Sequence, residues 1–145
     1  MKVSYPLPTL LLAGLLSGCA GSTGSNFVDV TLNATAANRG QTGMVGLVDK
    51  GDFTSLDFTI GGVPSGVSLP LQLLTFIYPG SCANLGAQPA YSLNSDTQVF
   101  QEQAGWIMSK QAPVSLATLM AGSYAVVVST STADGGQNIF CGDIR

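Results

Sequence analysis

The sequence predicts an all-β domain, an antiparallel Greek-key sandwich or barrel of about seven to eight strands. Three observations carry that prediction. Apolar residues alternate with polar ones at a period of two in several short runs. Glycine-rich turns separate those runs at near-regular spacing. No segment sustains a helical period, and the 18 glycines among 145 residues fit turns better than long helices.

Val28, Val30, Leu32 and Ala34 alternate with Asp29, Thr31 and Asn33, which describes a half-buried strand ending at the Asn38-Arg39-Gly40 turn. Thr42 to Asp49 reads as the next strand, closed by Lys50-Gly51-Asp52. Leu56, Phe58 and Ile60 form the inner side of a third, which stops at Gly61-Gly62. Leu71 to Tyr78 is more continuously apolar, as a more deeply buried strand would be, and Pro79-Gly80 is expected to end it. Residues 81–96 read mostly as loop, anchored by Tyr91 and Leu93. Val99 to Met108 is expected to hold a strand bent at Gly105, and Ala112 to Gly122 a crossing loop with one helical turn. In Ser123 to Thr130, Tyr124, Val126 and Val128 face one way, with Ala125 and Val127 behind. Ala133 to Gly136 then turns the chain into a last strand, Asn138 to Ile144.

The first 18 residues have a different character. Lys2 supplies a positive start, and Leu10 to Leu16 is a short apolar run, below the roughly 20 residues a permanent span requires. Leu16-Ser17-Gly18-Cys19 follows. This resembles the bacterial lipobox, in which a Cys after small residues receives a diacylglycerol and becomes the first residue of the mature chain. The resemblance implies a signal peptide over 1–18 and lipidation, with palmitate-type acyl chains, at Cys19. Residues 19–26 then form a Gly/Ser/Thr tether, and residues 27–145 the domain. The membrane is thus an expected partner, reached through the lipid. Ala20 rather than Asp after the Cys favours outer-membrane sorting in a Gram-negative envelope; periplasmic and outer faces are both open.

Lipidation leaves two cysteines, Cys82 and Cys141. In an exported chain two such thiols are expected to pair, which in the chain-entropy model stabilises by about 4 kcal/mol. Two buried thiols or a redox pair are the alternatives, though the spacing is not C-x-x-C.

Thr75-Phe76-Ile77-Tyr78-Pro79-Gly80-Ser81-Cys82 resembles the strand and loop of copper/zinc superoxide dismutases that read His-Val-His, then Gly and Cys. Phe140-Cys141-Gly142-Asp143-Ile144 resembles their C-terminal Ala-Cys-Gly-Val-Ile. The stretch from Leu116 to Val128, with Leu119, Gly122 and Tyr124 between, is similar to a segment of the same family and of chordin-type domains. The resemblance spans residues 27–145. It implies an eight-stranded Greek-key sandwich and a bridge between Cys82 and Cys141. It also implies metal-binding His at the positions of Phe76 and Tyr78, and there the chain departs: it has no His at all.

That absence removes Ser-His-Asp and Cys-His catalysis and His-ligated zinc or copper. No catalytic residue, metal ligand or cofactor is expected. Five basic residues, one of them Lys2 and the rest scattered, cannot build a phosphate-binding face, so nucleic acid is not an expected partner. Beyond residue 18, four basic residues face eight acids, a mild negative charge that favours solubility. Asp49 with Asp52 as a calcium site, Met44, Met108 and Met120 as copper(I) ligands, and Trp106 as a surface anchor each have a plainer reading as turn or core residues. The expected function is therefore a non-enzymatic envelope lipoprotein, an interaction or structural module whose partner is another envelope protein. Phe76 and Tyr78 are the candidate patch. The alternative is a small-molecule or metal-handling protein that uses ligands other than His.

Overall fold

The computed structural model describes residues 26–145; the leader, Cys19 and the tether through residue 25 lie outside the described residues. The elements are β1 (Phe27–Ala34), β2 (Thr42–Asp49), β3 (Thr54–Ile60), β4 (Leu73–Ser81), β5 (Asn84–Leu85), β6 (Tyr91–Ser92), β7 (Phe100–Glu102), β8 (Gly105–Ala112), α1 (Leu116–Ala121), β9 (Tyr124–Thr130) and β10 (Asn138–Ile144). Seven of the ten strands have seven or more residues; β5, β6 and β7 have two or three.

All pairings between strands are antiparallel, in the order β5-β4-β9-β10-β1-β2-β3-β8-β7, with β6 beside β4. The two ends of this sheet meet along residues 90–102. Ala90 N–H donates to the Ile77 carbonyl at 2.8 Å, Leu93 N–H to Thr75 at 2.9 Å, and Leu73 N–H to Thr97 at 3.2 Å, so the first part of the segment covers the edge of β4. The last part, β7, pairs with β8. One bent stretch of chain thus closes the sheet on itself, which removes most of the free edge that an open sheet would present. The β3–β4 and β8–β9 links cross between non-neighbouring strands, and these crossings give the Greek-key connectivity.

The core follows the alternation. Val30 and Leu32 of β1, Val45 and Leu47 of β2, and Leu56, Phe58 and Ile60 of β3 all point inward and are buried. On β9 both faces are covered: Val126 and Val128 enter the main core, whereas Ala125 and Val127 join a second cluster with Cys141. A bulge in β10 between Asn138 and Phe140 lets Ile139 and Phe140 both enter the main core.

Polar anchors hold the crossings. Buried Thr54 donates its hydroxyl to the Val114 carbonyl at 2.8 Å, and buried Asn38 its amide to Gly62 at 3.1 Å. Helix α1 starts at Ser115, whose hydroxyl accepts from Thr118 N–H at 3.2 Å, and it buries Leu116 and Leu119 one turn apart. Asp134, in the turn before β10, accepts from both Ser68 N–H and Ser68 Oγ, at 2.9 and 2.7 Å. These bonds and that of Ser131 hold its carboxyl below the usual range and tie the β3–β4 link to the β9–β10 turn.

Several boundaries differ from expectation. β4 does not stop at Pro79 but runs to Ser81, because Pro79 still pairs with Tyr124 and its carbonyl accepts from Gly86 N–H at 2.7 Å. Residues 81–96 contain β5 and β6, both held by β4. The single strand expected over Val99 to Met108 is instead an antiparallel hairpin of β7 and β8, and Gly105 opens β8 directly after its turn. Its φ of +128° belongs to glycine, and a Cβ there would run into the Ile60 carbonyl. Gly105→Ala should therefore destabilise by more than about 1 kcal/mol, read as a lower urea midpoint; an unchanged midpoint would mean the turn relaxes freely.

Candidate functional site

Strand β4 alternates strictly through its middle. Thr75 and Ile77 are buried in the interior, and Phe76 and Tyr78 stand half-buried on the outer face. Their rings lie 6.2 Å apart and tilted by 59°. Across the sheet Phe76 faces Val127 and Tyr78 faces Ala125, both of them buried. The outer surface of β4, β9 and β10 is thus a second small core. Tyr78, Cys82 and Leu85 roof it over Ala125, Val127 and Cys141.

The Cys82–Cys141 disulfide fastens that roof, joining the loop after β4 to the middle of β10 with Cα atoms 5.8 Å apart. The loop is held a second time beside the bridge. Cys82 N–H donates to Asp143 Oδ1 at 2.7 Å, and Arg145 Nη2 donates to Asp143 Oδ2 at 2.7 Å. The Cys82 amide first, then Arg145, hold the Asp143 carboxyl below the usual carboxylate range. A depressed folded-state value means that this contribution is full above the unfolded value near 3.8 and is lost as pH falls through the folded value. Asp143→Asn should flatten the acid limb of stability below pH about 4, measured by urea denaturation at stepped pH. An acid limb identical to wild type would show that this bond does not differ between folded and unfolded chains.

The other sequence candidates lie apart. Asp49 Oδ1 accepts from Gly51 N–H at 3.0 Å within its own turn, and Asp57 Oδ1 from Ser109 Oγ at 2.6 Å. Among the described residues no three Cys, Asp or Glu side chains gather where they would hold a metal ion. Met44 stands exposed on β2, Met108 lies in the core and Met120 is on α1. Trp106 packs against the main core. Cys19 lies outside the described residues.

Lys110 was not singled out by its sequence context. It is 4% exposed, on the inward side of β8 between buried Met108 and Ala112, and its ammonium donates to the Asp96 carbonyl. Burial lowers its pKa, and the nearby Asp96 charge opposes that. The signal was the alternation Met108-Ser109-Lys110-Gln111-Ala112, which places Lys110 on the core side once the strand is extended past Met108.

Comparison with family models, with curated proteins and with solved structures finds no match to this chain.

Proposed function

We propose that this chain is an outer-membrane lipoprotein, anchored through acylated Cys19, whose domain of residues 27–145 is a non-enzymatic interaction module. Its scaffold is dismutase-like and lacks the metal site. The observation that carries this reading is the aromatic pair Phe76 and Tyr78 on the outer face of β4. These are the positions at which the resemblance implies metal-binding His, and an aromatic surface there serves contact with another protein rather than metal chemistry. The Greek-key closure and the Cys82–Cys141 bridge are two further features that the resemblance implies, and both support it. A chain without His has no side chain that titrates unperturbed near neutrality, which supports a binding role over catalysis. A bridge between distant cysteines also fits an oxidising compartment.

The anchor is tested by feeding cells an alkyne fatty acid and comparing the full chain with Cys19→Ala. The expected result is label in the membrane fraction for the full chain and none for the variant. Equal labelling, or an unlabelled full chain, would remove the lipoprotein reading.

A further inference from the structure

The barrel wall opens beside β8. Strand β8 pairs with β3 from Trp106 to Ala112, but on its other side β7 reaches only as far as Ile107. From Met108 to Ala112 that edge of β8 lies across a seam from the residues that cover β4. A cleft of about 230 Å³ occupies the seam, lined by Ser55, Leu93, Ser95, Ser109 and Gln111, with Lys110 and Asp96 at its wall.

The Lys110 ammonium is short of acceptors. It carries three N–H donors, and its hydrogen bond within the chain is to the Asp96 carbonyl. No carboxylate oxygen lies within ion-pair distance of it; the ion pair among the described residues is Arg145–Asp143. The Asp96 side chain is engaged instead with Gln98 N–H at 2.9 Å. A buried ammonium without a bonded counter-charge is costly, and a carboxylate placed on it recovers charge-assisted hydrogen bonds.

We propose that the seam is a binding site for a small carboxylate ligand. The carboxylate accepts from Lys110 Nζ, the hydroxyl of Ser95 binds its polar substituents, and Leu93 meets its short apolar part. The cleft is smaller than the pockets that hold drug-sized molecules, so the ligand has the size of a short-chain acid. This site lies on the β8 wall and does not depend on the anchor or on the Phe76–Tyr78 face.

The test uses the full-length chain, labelled with nitrogen-15 in detergent micelles and titrated with propionate and with the neutral isostere propionamide. Propionate is expected to give saturable amide shifts at Ser95, Ser109 and Gln111, with propionamide at least about tenfold weaker. Lys110→Met should weaken propionate by about the same factor. Gln111→Glu, a change at an exposed position, leaves Lys110 in place and puts a negative charge at the mouth; it should weaken propionate about threefold or more. If Lys110→Met fails to fold, Gln111→Glu decides. Absence of saturation, equal binding of propionamide, or unchanged affinity in Gln111→Glu or in a folded Lys110→Met would each overturn the proposal.

Discussion

Replacing Cys82 and Cys141 together by Ala should lower the unfolding free energy by about 4 kcal/mol. The bridge closes a loop between residues 59 apart in sequence, and cutting it frees the unfolded chain far more than it frees the folded one. The folded state loses something as well, since Cys141 is a buried member of the outer cluster with Ala125 and Val127, and Cys82 packs on it. At a urea dependence of about 2 kcal/mol per molar, the midpoint should fall by roughly 2 M. The hydrogen bond from Cys82 N–H to Asp143 remains available in the variant, so the loop should stay near β10 without the bridge. A shift below about 0.5 M would mean that the unfolded chain is already constrained there.

Phe140→Ala should cost about 3–5 kcal/mol. Phe140 is fully buried in the main core, and its ring reaches β2, where an added Cβ at Gly43 would stand 3.4 Å from Cε1. Removing the ring therefore leaves a cavity between β10 and β2 rather than a dent at the surface. Phe76→Ala offers the contrast, because its half-buried ring stands on the outer face and the site opens to water when truncated. Its cost should be less than half that of Phe140→Ala, measured side by side in urea. Equal costs would place Phe76 in a core and remove it as a contact surface.

The elements with local alternation were legible in the sequence. β2 and β10 have the expected limits, and the two-faced reading of β9 matches its two buried clusters. The seven long strands fall within the expected count; the additional short ones were not legible. β5 and β6 have two residues each, too few to show any period, and they are strands only because β4 lies beside them. Pro79 misled because proline commonly ends strands, yet β4 bends at Gly80, with φ +100°, and keeps pairing. Lys110 was missed because β8 was expected to end at Met108. A charged residue beyond a strand's expected end reads as solvated, whereas two steps along a continuing strand put it back on the inner side. The outer position of Phe76 and Tyr78 follows from the same alternation, since Ile77 between them faces the core.

On the proposed reading, the domain works by contact through the outer face of β4 rather than by metal or bond-breaking chemistry. The most direct test is crosslinking in living cells, with three chains compared by mass spectrometry: the full chain, the Cys19 tether without residues 27–145, and the full chain carrying Phe76→Ser with Tyr78→Ser. One envelope protein should be captured by the full chain and lost from both of the others. Capture unchanged by the double substitution, or no specific capture together with stoichiometric metal in the purified protein, would contradict it.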